Sequence, residues 1–508
     1  MTTDEHSTPM QELLERLRKA FGPKRILTDP TDLYVYSFRG EFGIMHRGTP
    51  VAVVRLLQVE ENRSLTEMMK SSNLRLAINT DDAIKDEPFV LLDVREPCDP
   101  LTLVKKLKSL KQLDKTGKAR LKGATSLPDW LLSFLKRHRG YRLSEEPEIE
   151  NGFCTVARFF DGLETYSSKG RLLITRGLLK DELEPSERVV DSLYTCTACG
   201  QCYDQISTMG LEVNNAIVRA RHEVVKRGVN LPASRRLVEN IRGEGNPMGM
   251  PAEDRALWFE ELIDRHSFEG NEVLYWTGCS TSYRLPEVVE ATSKVLDVAG
   301  VDYGLLGASE GCCGLILYLL GLWDQARENA VRTVEDMKAR AVRTMVTSCA
   351  GCYYAFSRIY DVLKVPVSFQ LLHTSQLMES LIQEGRLKLK GLRGDFVWHD
   401  PCDLGRHCGV YEPPREVLGA VPGLKLVEPA LNREHALCCG AGGGLMAYDL
   451  ELTEKISHEK MMEEILPMGV DGIVTGCPAC ILSLRFAVKA LDNSLPVYDL
   501  SELVSRCL

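Results

Sequence analysis

Short apolar runs and amphipathic patterns alternate along the second half of the chain. An apolar run predicts a strand at Val273–Trp276, and helical periodicity follows at Leu285–Ala299 and Trp323–Arg340. The same order begins again about 125 residues later, from a strand at Phe396–Trp398 to a helix at Leu450–Ile465. Short apolar strands that alternate with helices are typical of α/β proteins with mostly parallel sheets. The pattern therefore predicts two pseudo-repeated α/β lobes, each with a small, mostly parallel sheet.

The sequence before the repeat predicts two further regions. An amphipathic helix at Met10–Phe21 and apolar runs at Val51–Leu56 and Phe89–Val94 predict a small α+β domain at the start of the chain. The next region contains a long helical pattern at Val213–Arg227 and is predicted to be mainly helical. The predicted domain boundaries are 1–140, 141–265, 270–390 and 391–508.

Composition narrows the class of protein. The chain has 508 residues, of which 44% are hydrophobic, and this is enough for several cores. It contains no apolar run of the roughly 18 residues that cross a membrane, and its first residues look like neither a signal peptide nor a transit helix. We therefore expect a cytoplasmic protein, which can still dock to a membrane subunit through a partner. The net charge of −9 argues against nucleic acid as the main partner.

Ten of the seventeen cysteines form two copies of one pattern: a lone cysteine, an adjacent pair followed by glycine, and a C-x-x-C motif. The first copy consists of Cys279, Cys312, Cys313, Cys349 and Cys352. The second copy consists of Cys402, Cys438, Cys439, Cys477 and Cys480. Ligands of parallel sheets collect at the carboxyl ends of the strands, which is where these cysteines fall. We therefore predict two metal sites that face each other across a pseudo-symmetric cleft.

The chemistry of these cysteines favours iron–sulfur clusters. Thiolates are soft ligands that suit iron bridged by sulfide, and a glycine after each adjacent pair allows a sharp backbone turn. Five thiolates exceed the four that a cubane four-iron cluster needs, which suggests an opened cluster. The alternative is zinc held by four thiolates beside a spare thiol, above all in the first set. Disulfides are a poor interpretation for a cytoplasmic chain.

The motifs around the cysteines also carry a family resemblance. Tyr275–Cys279 reads YWTGC, His399–Arg406 reads HDPCDLGR and Cys438–Gly444 reads CCGAGGG. With these motifs, residues 270–508 resemble the cysteine-rich CCG domains of the heterodisulfide reductase catalytic subunit. The iron–sulfur subunits of glycolate, lactate and glycerol-3-phosphate oxidising complexes are similar. Resemblance to the reductase implies a non-cubane four-iron cluster on each cysteine set, with the disulfide substrate cleaved between the two.

Some residues near the second set depart from the motif or add to it. Asp403 occupies a position where family members often have histidine, and Cys408 is a sixth thiol that the motif does not require. The glycine run after Cys439 follows a cysteine pair rather than a nucleotide-binding strand, so it predicts close approach of the backbone to a cluster. The glycines predicted to approach a cofactor are Gly314, Gly440 and Gly442. The histidines interpreted as hydrogen-bond donors or surface residues, rather than ligands, are His399, His407 and His435.

The middle region contains the start of a ferredoxin motif. Cys196, Cys199 and Cys202 form a C-x-x-C-x-x-C run whose expected fourth cysteine is replaced by Ile206. In similar proteins an earlier run ends in a cysteine about a dozen residues before a Ser-Pro-Arg-Gly-Arg segment, and Cys154 precedes the comparable Ser167–Arg171 here. The resemblance therefore implies one cubane [4Fe–4S] cluster on Cys154 and the three later cysteines. The alternative is that Cys154 is a buried apolar thiol and the triplet holds a three-iron or zinc site.

The predicted function follows from the three cysteine groups. We expect an iron–sulfur oxidoreductase that resembles heterodisulfide reductase, with a disulfide or thiol as its small-molecule partner. Residues 21–32 and 50–55 resemble the opening of flavin-linked oxidases, but the glycine-rich flavin loop is missing, so flavin is expected on a partner subunit. The alternative is an electron-transfer subunit of a flavin-dependent 2-hydroxyacid dehydrogenase complex, of the lactate or glycolate type. A zinc-bearing scaffold is a third interpretation.

Overall fold

The computed structural model contains two compact units, residues 1–150 and 151–508. The residues that it describes are 7–39, 45–46, 50, 52–56, 65, 68, 75–78, 89–94, 154–160, 163–202, 213–229, 231 and 234–508. Cys98 and Ile206 lie outside these residues.

The first unit is a small α+β arrangement. Its helices are α1, Ser7–Phe21, and α2, Pro30–Tyr36. Its strands are β1, Ile26–Leu27; β2, Phe38–Arg39; β3, Met45–His46; β4, Ala52–Leu56; β5, Arg75–Ile78; and β6, Phe89–Val94. Four strands form a sheet in the order β1-β4-β6-β5, in which β4, β6 and β5 run parallel and β1 is antiparallel to β4. The apolar face of α1 packs on this sheet through Leu13 and Leu17, as its amphipathic pattern predicts.

The helices of the second unit fall into a leading group and two lobes. The leading helices are α3, Ser168–Leu179; α4, Glu187–Tyr194; α5, Val213–Lys226; α6, Ser234–Glu244; and α7, Glu260–Arg265. The first lobe contains α8, Cys279–Arg284; α9, Pro286–Val298; α10, Leu315–Leu319; α11, Trp323–Ala339; α12, Ala350–Tyr354; α13, Tyr360–Val362; and α14, Thr374–Gln383. The second lobe contains α15, Glu412–Gly419; α16, Leu445–Tyr448; α17, Leu450–Lys460; α18, Pro478–Ala490; and α19, Leu500–Ser505.

Each lobe contains one four-stranded sheet, and every strand pair in both sheets is parallel. The first lobe has β7, Val273–Trp276; β8, Tyr303–Gly304; β9, Thr344–Thr347; and β10, Gln370–His373. The second lobe has β11, Gly394–Trp398; β12, Leu424–Val427; β13, Gly472–Thr475; and β14, Val497–Asp499. The order is β8-β7-β9-β10 in one lobe and β12-β11-β13-β14 in the other, which is the same topology. The predicted fold class of two pseudo-repeated α/β lobes is therefore confirmed.

The two lobes exchange helix contacts reciprocally. The first long helix of the first lobe, α9, packs against the last helix of the second lobe, α19. In the same way, α14 closes the first lobe and packs against α15, which opens the second. A hydrophobic core shared by both lobes includes Val295 and Met378 from one lobe and Val417 and Leu503 from the other. This exchange holds the carboxyl ends of the two sheets in a fixed relation.

Two predicted helices differ from the pattern in detail. The predicted helix at Leu285–Ala299 starts at Pro286. Proline fits the first position of a helix, because the backbone N–H at that position has no partner within the helix. The predicted helix at Leu450–Ile465 is α-helical to Lys460 and then widens into a π-type turn at Met461–Ile465. Among the described residues, the helices are too short or too polar to cross a membrane.

Candidate metal centres

The first five-thiol set gathers at the carboxyl end of its sheet. Strand β7 leads through Thr277 and Gly278 into Cys279, and β9 leads through Ser348 into Cys349, which is the N-cap residue of α12. The thiols make a continuous series of hydrogen-bonding contacts from Cys279 to Cys312, and then to Cys313, Cys352 and Cys349. The structure therefore brings together all five thiols that the sequence pattern grouped.

A buried ion pair holds the loops of the first set. Glu310 accepts hydrogen bonds from the backbone N–H groups of Thr277 and Gly278, at 2.9 and 2.7 Å. The guanidinium of Arg255 donates to Glu310 at 3.0 Å, and both side chains are 1% exposed. The Glu310 carboxylate thus connects the Cys279 loop with the loop of Cys312 and Cys313, because Glu310 lies two residues before Cys312. Sequence reasoning missed this pair, although a glutamate just before a cysteine pair is a visible signal.

The second five-thiol set has the same arrangement. Contacts run from Cys402 to Cys438, then to Cys439 and Cys480, and from Cys480 to Cys477. The Sγ atoms of Cys439 and Cys480 are 3.2 Å apart. Hydrogen bonds from Cys438 and Cys480 hold the pKa of Cys439 well below its usual value.

Different charges hold the second set. Asp400 lies two residues before Cys402, and the guanidinium of Arg415 donates to both of its oxygens at 2.8 Å. Arg415 also binds Glu428, and the backbone N–H of Arg433 donates to Asp400 at 2.8 Å. These contacts fix the turn that carries Cys402 in the same way that Glu310 fixes the first set.

The structure also brings Cys154 to the three ferredoxin-type cysteines. Burial raises the pKa of the Cys154 thiol, and charges on Cys196 and Cys199 raise it further. The pKa of Cys202 is raised well above its usual value by burial and then by Cys196, Cys199 and Cys154. We call these four thiols the four-thiol site. Arg171, in the Ser167–Arg171 segment that led to the choice of Cys154, donates to the Sγ of Cys154 at 3.6 Å.

The loop that carries Cys196, Cys199 and Cys202 lies against the second lobe. The ring Nε2 of His407 donates to the Ala198 carbonyl at 2.9 Å, and Arg406 Nε donates to the Cys199 carbonyl at 2.7 Å. The thiols of Cys199 and Cys438 are themselves in hydrogen-bonding contact. The four-thiol site and the second set therefore meet directly.

The glycine run after Cys439 makes this contact close. A Cβ atom on Gly443 would lie 2.4 Å from the carbonyl carbon of Thr197, and one on Gly442 would lie 2.9 Å from the Thr197 oxygen. Gly314 and Gly440 both have positive φ angles, of 77° and 89°, at the turns after the two cysteine pairs. Because these glycines have no side chains, the run leaves room for the ferredoxin-type loop to pack against it. The sequence did not predict this role.

The remaining candidate residues lie around the second set. The ring of His399 is buried, and one of its nitrogens lies within 4.8 Å of the Sγ atoms of Cys439 and Cys480. The side chain of His435 is about half-exposed, as expected of a surface residue. Burial raises the pKa of Asp403 to about 6. Cys408 lies 3.3 Å from the Ser357 hydroxyl and joins neither set. Cys507 is buried in the core.

These residues fit iron–sulfur clusters. All sixteen described cysteines are free thiols, so the described residues form no disulfide. Both five-thiol sets are largely buried, and a buried cluster of thiols without metal would raise the cost of forming thiolates. A soft donor set of this kind binds iron–sulfur clusters or zinc, and five thiols exceed the four ligands that zinc takes.

Comparison with known proteins agrees with this geometry. The cysteine-rich domain family matches the chain twice, at residues 273–357 and 396–485. The chain is also 31% identical over 351 residues to a subunit of the dihydromethanophenazine:CoB–CoM heterodisulfide reductase of Methanosarcina acetivorans. That match covers 68% of this chain and 84% of the relative.

Two other relatives are longer than the region they share with this chain. A probable iron–sulfur-binding oxidoreductase of Bacillus subtilis is 31% identical over 330 residues, covering 62% of this chain and 46% of the relative. The EtfAB:quinone oxidoreductase of Syntrophomonas wolfei is 28% identical over 363 residues, covering 66% and 50%. With two cysteine-rich domains and a reductase relative matched over most of its length, the chain belongs to the family of iron–sulfur oxidoreductases that includes this heterodisulfide reductase component.

Proposed function

We propose that the chain reduces a disulfide, or oxidises thiols in the reverse direction, with electrons supplied through one cubane [4Fe–4S] cluster and two non-cubane clusters. The cubane ligands would be the four-thiol site, and the two five-thiol sets would hold the non-cubane clusters. One observation supports this above the others: two complete five-thiol sets lie at adjoining sheet ends. The backbone N–H of Ala350, beside Cys349, donates to the carbonyl of Gly476, beside Cys477, at 3.2 Å.

The chemistry balances in a simple way. Breaking the S–S bond of a disulfide takes two electrons and two protons and releases two thiols. The clusters, when bound, would supply single electrons, and two sets at adjoining sheet ends match the two electrons that the reaction needs. The chain's own part is to hold ten thiols in place and to keep them largely out of water.

Partners are proposed from the same resemblance. A flavoprotein or another electron-transfer subunit would exchange electrons with the four-thiol site, and a membrane subunit could provide docking from the cytoplasmic side. The named relatives include a heterodisulfide reductase component and a quinone oxidoreductase, and both names imply exchange of electrons with further components.

A second function is supported by a specific observation. The match to an EtfAB:quinone oxidoreductase, together with the flavin-oxidase resemblance near the N-terminus, fits an electron-transfer subunit of a flavin-dependent 2-hydroxyacid dehydrogenase. In that case the five-thiol sets would only relay electrons. Co-purification of a flavin subunit that oxidises a hydroxyacid by itself would favour this alternative.

The test uses protein purified without oxygen. Three four-iron clusters predict about twelve iron atoms and negligible zinc per chain. Adding a thiol or a disulfide is expected to change the EPR spectrum, and reduced viologen dye is expected to be consumed when a disulfide is added. Full iron content with no response to any thiol or disulfide would contradict disulfide reduction and leave the relay role. A first set loaded with zinc would reduce the iron content to about eight.

A further inference from the structure

We infer that Arg406 couples the four-thiol site electrostatically to the second five-thiol set, and that the second set, not the first, exchanges electrons with the four-thiol site. The inference rests on the proposed function in assuming clusters on these thiols, but it does not depend on which substrate is reduced. Arg406 acts through its position and charge, and is a positioning residue.

The contacts of Arg406 join three loops. Its Nε donates to the carbonyl of Cys199 at 2.7 Å, on the ferredoxin-type loop. Its Nη1 donates to the carbonyl of Ala436 at 2.6 Å, on the loop that leads to the Cys438–Cys439 pair. The residue itself lies four positions after Cys402. One guanidinium therefore connects the backbone at a ligand of the four-thiol site with both loops of the second set.

The third guanidinium nitrogen of Arg406 is Nη2. Nη2 is buried and has no hydrogen-bond partner among the described residues. The guanidinium lies within electrostatic reach of the thiols of Cys199, Cys402 and Cys438. A buried guanidinium N–H with sulfur ligands of two sites around it is a donor for thiolate or cluster sulfur, because an unmet buried donor is costly.

The first set has no matching contact at its cysteines among the described residues. Its nearby cation, Arg255, is paired with Glu310, and that guanidinium also donates to the carbonyl of Gly245 at 3.1 Å. Arg221 links the Cys196 carbonyl to both lobes, but it reaches the first lobe at the Leu319 carbonyl, at 2.7 Å, and the second at the Gly443 carbonyl, at 2.6 Å. The hydrogen bonds that join the two lobes to the loop at 196–202, within the described part of the chain, all involve the second lobe, through Arg406, His407 and His435. Since electron transfer favours close sites, the second set is the partner of the four-thiol site.

The experiment follows each iron–sulfur EPR signal against electrode potential in anaerobic full-length protein. Signals are assigned by their loss in Cys352→Ser for the first set, Cys480→Ser for the second and Cys199→Ser for the four-thiol site. Removing a positive charge beside a cluster makes its reduction less favourable. In Arg406→Gln, the reduction equilibrium of the four-thiol and second-set signals is expected to fall about tenfold, or 59 mV for one electron. The first-set signal is expected to stay unchanged.

Two variants make the result specific. Arg406→Lys keeps the charge, so the reduction equilibria of the four-thiol and second-set signals are expected to change less than threefold. This variant keeps the test usable if Arg406→Gln binds less iron. Arg506→Gln removes an exposed arginine of the same lobe, whose Nη1 donates to the Tyr498 hydroxyl at 2.9 Å, and is expected to change no potential.

The failures of the two proposals can be told apart. Equal shifts of the first-set and second-set signals, unchanged potentials in Arg406→Gln, or a tenfold change in Arg406→Lys would each overturn the coupling by Arg406. Iron–sulfur signals that never respond to thiols or disulfides would contradict the proposed reaction and leave this inference standing. Protein without iron on these thiols would overturn both.

Discussion

The two lobes share one strand order and one five-thiol pattern, but they hold those thiols with different charges. In the first lobe, buried Glu310 and Arg255 tie the Cys279 loop to the cysteine pair. In the second, Asp400 and Arg415 fix the turn before Cys402, and Arg406 reaches out to the ferredoxin-type loop. The repeat thus preserves the ligands, while charged residues that differ between the two copies decide how each site is supported and what it contacts.

The largest expected effect comes from removing one ligand in each lobe. Cys352→Ser and Cys480→Ser are each expected to abolish the cluster of their own lobe and to lower the iron content by about four atoms. Disulfide reduction should fall by more than about 100-fold in both, because the proposed reaction takes one electron from each set. Iron analysis and EPR on each variant check this. If one substitution empties both lobes, the lobes are not independent sites.

Breaking the support of the first set should destabilise the second unit strongly. Glu310→Gln leaves Arg255 buried without its counter-charge, which is expected to cost about 3–5 kcal/mol in the free energy of unfolding. The matched surface pair is Lys425 and Asp395, whose side chains are 69% and 43% exposed, and Asp395→Asn is expected to cost under about 1 kcal/mol. Denaturant unfolding of both variants measures the difference, and equal losses would contradict a structural role for Glu310.

A glycine comparison tests the contact between the second lobe and Thr197 of the ferredoxin-type loop. Gly443 and Gly469 have nearly the same φ angle, 65° and 64°. A Cβ atom would lie 2.4 Å from Thr197 at Gly443, but would have nothing within 4 Å at Gly469. Gly469→Ala is expected to cost about 1 kcal/mol from backbone strain alone. Gly443→Ala should cost about 1–3 kcal/mol more through overpacking, and should perturb the EPR signal of the four-thiol site. An unchanged EPR signal would mean that the contact between Gly443 and Thr197 does not position the ferredoxin-type loop.

The smallest expected effect compares two equivalent helix caps. His373 caps α14 and Asp499 caps α19, each with a capping box. Burial raises the pKa of Asp499 to about 7, above its unfolded value of 3.8, so its folded form binds more protons and stability falls as pH rises from about 4 to 7. Burial lowers the pKa of His373 to about 4, below its unfolded value of 6.5, so stability falls as pH drops from 6.5 to 4.

Asparagine at each position keeps a capping oxygen and removes the titration. The difference in free energy of unfolding between Asp499→Asn and the wild type is expected to be about 1–2 kcal/mol more favourable to the variant at pH 8 than at pH 5. For His373→Asn the same difference is expected to be about 1–2 kcal/mol more favourable at pH 5 than at pH 8. Melting temperatures across this range check both signs. Parallel pH profiles of variant and wild type would show that these caps do not titrate between pH 4 and 8.

Much of the fold could be predicted from local pattern. Strands β7 and β11 appear within about two residues of their predicted positions, because each is an apolar run bounded by polar residues. The grouping of ten thiols was also predictable, because the order of ligands repeats at the ends of equivalent strands. The association of Cys154 with the later triplet was inferred only from a resemblance. Cys154 lies 42 residues before Cys196, and no periodic pattern connects the two positions.

The supporting charges could not be predicted in the same way. Arg255 and Glu310 are 55 residues apart in the chain, and Arg406 lies 207 residues from Cys199. A buried ion pair has no periodic signature, because its partners come from different elements. The approach of Thr197 to the glycine run after Cys439 could not be predicted for the same reason, because Thr197 belongs to a loop that is distant in the sequence.

By itself, the sequence determined which thiols belong together, because ligand spacing within each lobe is a local property of strands and the turns that follow them. It also determined the α/β class, because the alternation of apolar strands and amphipathic helices depends only on which faces are buried. Only the tertiary structure decided that the four-thiol site meets the second set. That contact depends on long-range packing, in which Arg406, Arg221 and the glycines bring together loops that lie far apart in the chain.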